Sequence, residues 1–451
     1  MLVLEKRNDK EFVAQYQKLV AVAKGMTEEQ RKFAYHGLIY RATAMQAHAG
    51  GSSDIWRLEA ARTAGMAELF SDGDKAWKKY LLRNLLLLGE ADEVMRLTSD
   101  YQSLTVKDSS SLFFRAWMLD SIGSREEIVD AYRRLATLDP DWKETADSSI
   151  EEVESDGDLY SSDLNTLLAK LKTLNKKEDE TPMMTVNKRI CRLGDKKAIE
   201  QVCDAVFPKS EEPSHWQLFD AHLLAQPLLL VPADKVGILR ELFQETNNTY
   251  RAATIGAALL RKGDDTDARM LLESTKIDDG AKFQIFAWGN REQLATLFNS
   301  FENAMKKEGN YCFEVLGRFG GDAAAKRIIE IGKERMIEDG RHAGHLLQTG
   351  SNIAINFIEK NIVSKKNENA IMSLLNEGTN LCADARSLNF LKDIMTSGNS
   401  QLESLALRSA ATIAYLDAGL YKKIKDIVAK DPILNGEFDT ILKSGYIVDV
   451  S

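Results

Sequence analysis

Proline is scarce in this sequence. Only 7 of its 451 residues are proline, and several of them fall in one short stretch: Pro208, Pro213, Pro227 and Pro232. Because proline removes a backbone donor and interrupts helices, the remaining proline-poor stretches allow long helical segments. Those stretches are rich in Ala, Leu, Glu and Lys, which are good helix formers. The composition therefore favours a helical protein.

Cysteine is also rare, and its spacing excludes two classes of structure. The 4 cysteines include no C-x-x-C pair: Cys191, Cys203, Cys312 and Cys382. Neither a disulfide framework nor a zinc site has such spacing. We expect buried or half-buried thiols in a reducing compartment.

The chain has no excess of positive charge. It carries 59 Lys and Arg residues against 68 Asp and Glu residues, which gives a net charge of −9. Nucleic-acid binding depends on a basic surface that displaces counterions from phosphate. The charge balance therefore disfavours nucleic acid as a partner.

Long hydrophobic runs are absent as well. No apolar stretch approaches the roughly 18 residues of a transmembrane helix, and "AHLLAQPLLLVPADK" is interrupted by Gln226, Pro227 and Pro232. The N-terminal sequence "MLVLEKRNDKEF" becomes charged after 4 residues, so it has no signal-peptide core. We therefore expect a cytoplasmic protein without membrane insertion.

What the sequence does contain is a helical hairpin around Gly123. Apolar residues recur at helical intervals on both sides of it: Phe113, Trp117 and Ile122 before, and Ile128, Ala131, Tyr132 and Leu135 after. Glycine commonly ends a helix because it tolerates a left-handed backbone. Asp139 and Pro140 end the second helix, because proline disfavours helical geometry in the residue before it. The pattern predicts two antiparallel helices joined at Gly123.

The same pattern recurs 34 residues upstream, where Gly89 takes the place of Gly123. The apolar positions coincide as well: Leu85 with Leu119, Leu88 with Ile122, and Val94 with Ile128. A 34-residue helix-turn-helix period, with "LATLDPDW" closing the second helix, resembles the tetratricopeptide repeat. The resemblance implies stacked hairpins that form a superhelix.

A different repeat follows a highly charged region. The segment from Glu144 to Asp158 contains 7 acids and no base, and "NKKEDETP" follows at residues 175–182. We predict solvated loops for "NKKEDETP" and for "EEVESDGD", the end of the acidic segment. Beyond them, a glycine turn recurs at six places: Gly194, Gly263, Gly289, Gly321, Gly350 and Gly419. Two of the intervals are 69 residues, near twice the others, and "LLVPADKVGILRELFQE" and "TNLCADARSLNFLKDIM" are candidates for the intervening repeats.

The pieces "ICRLGDKKAIEQV" and "LGRFGGDAAAKRII" resemble the short HEAT repeats of bilin-lyase-like proteins, in which a glycine-aspartate turn leads into an Ala-containing helix. The resemblance covers roughly residues 185–430. We therefore predict an all-α fold, an α-solenoid of stacked antiparallel helical hairpins. Its two parts are a tetratricopeptide-like domain at residues 1–178 and a HEAT-like domain at residues 179–451.

No motif indicates catalysis or a cofactor. The chain lacks a phosphate loop, a G-x-S-x-G sequence and an H-E-x-x-H sequence, and "GRFGGD" is predicted as a turn between helices. His342 and His345, with Asp339 nearby, have the spacing of half a metal site, but a polar helix start is the simpler interpretation. The acidic "EEVESDGD" lacks the closing Glu of a calcium loop. We therefore predict no catalytic, metal-binding or cofactor-binding residues.

Candidate partner-binding residues are few. We expect most of the 6 tryptophans in the core or between repeats: Trp56, Trp77, Trp117, Trp142, Trp216 and Trp288. Trp142, which follows the helix-breaking Pro140, is the candidate outward-facing anchor. A basic cluster in the C-terminal repeats is the candidate charged contact: Lys422, Lys423 and Lys425.

These observations favour a non-catalytic scaffold or adaptor that binds a protein or peptide in the concave groove of the solenoid. The net charge of −9 favours a partner with basic patches, and the lysine cluster offers one contact of opposite sign. Two alternatives stay open. One is a regulatory or immunity-type inhibitor subunit. The other is a HEAT-like enzyme of the bilin-lyase kind or, less favoured by the acidic charge, of the DNA-glycosylase kind.

Overall fold

The computed structural model describes residues 10–49, 54–175, 178–208, 218–277, 320–379 and 384–444, with residues 313, 316, 317 and 382. Throughout these residues the protein is all-helical, with 81% helix and no strand. No helix in the described ranges is long and apolar enough to cross a membrane. The all-α part of the predicted fold class is confirmed, and the solenoid arrangement stays a prediction.

Contacts divide the chain into two compact units. The terminal unit comprises Met1–Leu81 and Asn290–Ser451, and the middle unit comprises Leu82–Gly289. The predicted domains, residues 1–178 and 179–451, are defined by a change of repeat type. The division by contacts does not test that change, which stays a prediction.

The helices follow one another with short connections. In the described residues three helices of the terminal unit come first, and a fourth runs across the boundary into the middle unit: α1 (Lys10–Lys24), α2 (Glu28–Ala49), α3 (Asp54–Ala67) and α4 (Ala76–Leu87). The described part of the middle unit continues with α5 (Ala91–Leu97), α6 (Ser109–Ile122), α7 (Arg125–Leu138), α8 (Lys143–Ser155), α9 (Leu164–Leu171), α10 (Glu180–Leu193), α11 (Lys196–Val206), α12 (Leu218–Leu229), α13 (Val236–Glu245), α14 (Thr249–Lys262) and α15 (Asp265–Glu273).

The terminal unit resumes after the residues that are not described. Its later helices are α16 (Gly321–Asp339), α17 (Ala343–Gln348), α18 (Asn352–Asn361), α19 (Glu368–Ser373), α20 (Leu388–Met395), α21 (Ser400–Ala411), α22 (Ala418–Val428) and α23 (Pro432–Ser444). A π-helical segment, Leu374–Thr379, continues α19. Short 3-10 turns connect several helices in both units.

The predicted hairpin turns are confirmed at Gly89 and Gly123. Gly89 follows α4 with a φ of 69°, the left-handed backbone expected of a glycine that ends a helix. Gly123 ends α6 with an extended backbone instead, at φ −84°. It is needed for space, because a Cβ atom there would lie 2.8 Å from Leu119 Cδ2. Ser124 then begins α7 in a capping box with Glu127.

Three of the glycine turns predicted further along the chain are of the same kind. Three glycines end one helix and precede a residue whose side chain caps the next: Gly194 with Asp195, Gly263 with Asp264, and Gly350 with Ser351. Gly419 differs, because Asp417 already caps α22 and Gly419 lies inside that helix. Gly289 lies outside the described residues.

One predicted loop is a helix instead. The acidic segment from Glu144 to Asp158 forms most of α8 and part of the 3-10 turn that follows it. Ala146 and Val153, two helical turns apart, are buried, and α8 packs against α7. Two apolar side chains at helical spacing therefore hold the segment in place, while its acids face outward. The prediction of a solvated loop was wrong.

The terminal unit joins helices from both ends of the sequence. Phe33 of α2 is fully buried, and its ring centroid lies 5.6 Å from that of Tyr421 and 4.8 Å from that of Phe438. The backbones also approach closely, because a Cβ atom on Gly37 would lie 2.0 Å from the carbonyl oxygen of Ala411. α2 is therefore part of the same core as α21–α23.

Polar contacts support this junction. Arg41 donates a hydrogen bond to the Tyr415 hydroxyl at 2.7 Å, and Lys425 pairs with Glu29 at 2.9 Å. In an open array each repeat contacts only its sequence neighbours. The terminal unit thus contains long-range contacts that periodicity alone does not predict.

Candidate functional site

A buried arginine fixes the geometry of one region of the middle unit. Arg189 of α10 is 2% exposed. Its guanidinium donates hydrogen bonds to four backbone carbonyls: Asp120 (3.1 Å), Gly123, Tyr160 (2.9 Å) and Ser161 (3.4 Å). Two of these carbonyls belong to the C-terminal end of α6, where carbonyls lack intrahelical partners and positive charge is favoured. Arg189 therefore holds α10 against the end of α6.

Asp120 lies beside this junction with one carboxyl oxygen unpaired. Its Oδ2 accepts a hydrogen bond from the Tyr132 hydroxyl at 2.7 Å, whereas its Oδ1 is buried without a hydrogen-bond partner. Burial raises the pKa of Asp120 to about 7, although the Tyr132 hydrogen bond and the charges of Arg189 and Lys188 oppose this rise. Asp120 is therefore only partly ionised near neutral pH.

Lys188 lies next to Arg189 in the sequence and lines a narrow cleft. Its side chain is half-buried. Burial lowers the pKa of Lys188, an effect that only the charge of Asp120 opposes. Among the residues that the structure describes, no hydrogen bond or ion pair involves this amine. Lys188 thus lies at the cleft without a hydrogen-bond or ion-pair partner among the described residues.

The walls of the cleft combine apolar and polar residues. Its lining consists of Leu86, Leu87, Gly89, Trp117, Met118, Ser121, Lys188, Gln226 and Leu230. Gly89 allows the walls to approach, because a Cβ atom there would lie 2.9 Å from the Cβ atom of Leu229. The enclosed space holds about one or two water-sized groups.

An aromatic cluster borders the cleft. Trp117, which is part of the lining, is 38% exposed. The ring of Phe113 lies 5.7 Å from that of Trp117 and stacks on Trp142 at a centroid distance of 4.3 Å. Exposed tryptophans beside pockets are frequent anchors of protein interfaces. The cluster therefore joins an exposed aromatic surface to the cleft that Lys188 lines.

Trp142, the anchor predicted from the sequence, belongs to this cluster and is half-buried. Its indole N–H donates a hydrogen bond to Ser109 Oγ at 3.3 Å, and one face of its ring is covered by Phe113. Its role in binding stays a prediction. Trp117 is the more exposed of the two, whereas Trp56 and Trp77 are buried, as expected of most of the tryptophans.

The predicted basic cluster lies elsewhere, on α22 of the terminal unit. Lys422, Lys423 and Lys425 are all exposed. Lys425 forms an ion pair with Glu29, so part of its charge already stabilises the fold. Lys422 and Lys423 have no ion-pair partner among the described residues. Their role in binding also stays a prediction.

The histidines singled out from the sequence lie at the start of α17. His342 stacks on Phe313 at 3.8 Å, and burial lowers its pKa to about 4. His345 Nδ1 lies 3.4 Å from Gln348 Oε1, and Asp339 pairs with Arg341. Within the described ranges, no group of three or more His, Cys, Asp or Glu side chains is placed to hold a metal ion.

Three of the cysteines are free and buried, as their spacing predicts: Cys191, Cys203 and Cys382. Burial raises the pKa of each thiol, which keeps it protonated and unreactive near neutral pH. Cys312 lies outside the described residues.

Comparison with known protein families, with curated proteins and with solved structures gives no match for this chain. The class of protein therefore follows from its own structure, an all-helical fold with two compact units. Its function has to be inferred from the cleft and the surface around it.

Proposed function

We propose that this protein is a non-catalytic interaction module that holds a segment of another protein. The observation that carries the proposal is Trp117, a tryptophan 38% exposed at the edge of a narrow cleft. Aromatic side chains that fill or border pockets supply much of the binding energy at protein interfaces. A partner side chain that covers Trp117 and enters the cleft would gain both contacts.

The rings around Trp117 favour the same role. Phe113 and Trp142 are stacked on each other, and the Trp142 indole is held by Ser109. These side chains are therefore already ordered before a partner binds. Ordering side chains on binding costs free energy and lowers affinity, and a partner of this surface would avoid that cost. In the terminal unit, Lys422 and Lys423 offer unpaired charge for an acidic part of a partner.

The experiment is co-purification of partners with the tagged full-length protein at low salt, followed by affinity measurements on variants. We expect Trp117→Ala to weaken partner binding about 30-fold, since truncation of an interface anchor costs roughly 2 kcal/mol. Trp142→Ala and a triple change of Lys422, Lys423 and Lys425 to Glu test the contacts predicted from the sequence.

Ile433→Ala is the matched control, because Ile433 is an apolar side chain of the terminal unit that is 68% exposed. Its removal should leave the affinity unchanged. If no protein is retained at low salt, the interaction module is refuted. If a partner is retained and Trp117→Ala binds it as well as the wild type, the contact does not involve this cluster.

A further inference from the structure

The carboxyl group of Asp120 lies where several helices of the middle unit meet. Its Oδ2 atom accepts the Tyr132 hydroxyl of α7 at 2.7 Å. Its Oδ1 atom is buried without a hydrogen-bond partner among the described residues. Charged side chains act on it from two further helices, Glu152 of α8 and the neighbours Lys188 and Arg189 of α10. One oxygen of this carboxyl group is therefore satisfied and the other is not.

The unpaired oxygen makes the charge of Asp120 costly. A neutral carboxyl group can be buried at modest cost, whereas a buried carboxylate oxygen without a donor has neither solvent nor a hydrogen bond. The guanidinium of Arg189 is already bound to four backbone carbonyls, and Lys188 forms no ion pair among the described residues. Burial is accordingly the largest influence on the pKa of Asp120 and raises it to about 7.

Ionisation of Asp120 also brings two like charges together. Glu152 Oε1 accepts the Tyr160 hydroxyl at 3.1 Å, and Arg189 binds the backbone carbonyls of both Tyr160 and Asp120. The negative charge of Glu152 raises the pKa of Asp120, and the charges of both acids raise the pKa of Tyr160. The two carboxyl groups therefore share one small junction, where they repel each other once both are ionised.

Of the helices around Asp120, α8 is the least firmly held. It buries two side chains, Ala146 and Val153, whereas α7 buries five and α10 buries seven. Its C-terminal half also carries Glu151, Glu152 and Glu154, and negative charge near the carbonyl end of a helix is unfavourable. Repulsion at the junction is therefore relieved most easily by movement of α8.

We propose that α8 is a proton-controlled element, which is docked against α6 while Asp120 is protonated and released when Asp120 ionises. Tyr132 keeps its hydrogen bond to Asp120 in both states, and release of α8 gives the Oδ1 atom access to water. Because α8 begins directly after Trp142, its release also changes one side of the aromatic cluster. The state of α8 is measured in the protein alone, so the test does not depend on the interaction role proposed above.

The test is native-state hydrogen exchange of the full-length protein from about pH 5 to about pH 8.5. With α8 released, the Asp120 carboxyl is solvated and its pKa returns towards the ordinary value of 3.8. Release therefore becomes easier as pH rises to about 7 and does not change further above it. We expect the protection factors of α8 amides to fall about tenfold per pH unit up to about pH 7 and then to level off. They should lie below those of α10 at every pH, because the opening is local.

Three variants separate the contributions to this profile. Asp120→Asn cannot ionise and can still accept the Tyr132 hydroxyl, so its α8 protection should not depend on pH. Glu152→Gln removes the facing charge and can still accept the Tyr160 hydroxyl, so the decline should level off at a lower pH. Glu151→Gln changes an exposed acid of the same helix. It is the matched control and should follow the wild-type profile.

The inference is overturned if the amides of α8 and α10 show equal protection at every pH, because Asp120 would then titrate only on global unfolding. It is also overturned if α8 protection is constant between about pH 5 and about pH 7, or if Asp120→Asn shows the wild-type decline. If Asp120→Asn does not fold, Glu152→Gln decides by itself. A Glu152→Gln profile identical to that of the wild type would then refute the device.

Discussion

Single buried polar residues organise the middle unit. Arg189 is buried where α6, α10 and the turn at Tyr160 meet. Its guanidinium donates hydrogen bonds to carbonyls from two parts of the chain, the end of α6 and the turn at Tyr160. A backbone carbonyl that is buried without a donor costs free energy comparable to a lost hydrogen bond. Arg189 satisfies these groups together, so the neighbouring Lys188 is held at the cleft by a rigid element.

Asp120 makes the stability of the middle unit depend on pH. Burial raises the pKa of Asp120 from 3.8 to about 7. Between pH 3.8 and about pH 7 the Asp120 carboxyl is ionised in the unfolded chain but still protonated in the folded chain. The free energy of unfolding therefore falls as pH rises through this range, and the loss is complete above about pH 7. Asp120→Asn cannot ionise, and its amide oxygen can still accept the Tyr132 hydroxyl. We expect the variant to gain stability over the wild type as pH rises, by a few kcal/mol at most.

The measurement is urea unfolding of both proteins at about pH 4, 5.5 and 7.5. The hydrogen bond from Tyr132 lowers the pKa of Asp120. Tyr132→Phe should therefore raise the pKa of Asp120 further, and the loss of stability should continue to higher pH. A stability difference between Asp120→Asn and the wild type that is the same at all three pH values would contradict this account.

At the scale of elements, helix packing in the terminal unit depends on glycine. Gly37 in α2 is buried, and a Cβ atom there would lie 2.0 Å from the Ala411 carbonyl oxygen. Since this neighbour is backbone, Gly37→Ala must separate two helices, and we expect it to destabilise the protein by about 1–3 kcal/mol or more. Gly65 in α3 has nothing within 4 Å of the equivalent position. Gly65→Ala should therefore stabilise the protein by roughly 0.5–1 kcal/mol.

Denaturant midpoints of the two variants test this prediction, because both changes add one methyl group to a helix of the same unit. Opposite shifts are expected. Shifts of the same sign would mean that helix propensity, and not the approach of α2 to Ala411, decides the effect of a methyl group at these positions.

Helix ends were predictable from the sequence because their causes are local. Gly123 with Ser124, and Gly194 with Asp195, combine a residue that ends one helix with a residue that caps the next, and both turns form as predicted. Trp117 shows the limit of this reasoning. Helical spacing placed it on the same face as Phe113, but spacing does not tell whether another element covers that face, and Trp117 is exposed.

The cleft was missed for a similar reason. Its lining comes from four separate parts of the chain between Leu86 and Leu230, and none of these parts carries a recognisable motif. One signal was present in the sequence. Arg189 occupies an apolar position of α10, between the buried residues Val186 and Ile190. A charged residue at a core position requires buried hydrogen-bond partners. Arg189 therefore indicates that α10 packs against other polar groups at this position.

At the scale of the whole molecule, the terminal unit is built from sequence-distant halves. Hydrogen bonds and ion pairs join residues 374 and 396 positions apart, between Arg41 and Tyr415 and between Lys425 and Glu29. A repeat period describes contacts between neighbours and contains no information about such pairs. We expect α2 and the helices α21–α23 to open together, since they share one core around Phe33.

Phe33→Ala tests this expectation. The ring is fully buried against Tyr421 and Phe438, and removal of a buried phenylalanine ring costs roughly 3–5 kcal/mol. In native-state hydrogen exchange the variant should lose amide protection in α22 and α23 as well as in α2, although Phe33 is almost 400 residues from them in the sequence. Ile433→Ala, a change at a side chain of α23 that is 68% exposed, should leave protection unchanged. If Phe33→Ala accelerates exchange in α1–α3 alone, the two ends of the chain do not form one cooperative core.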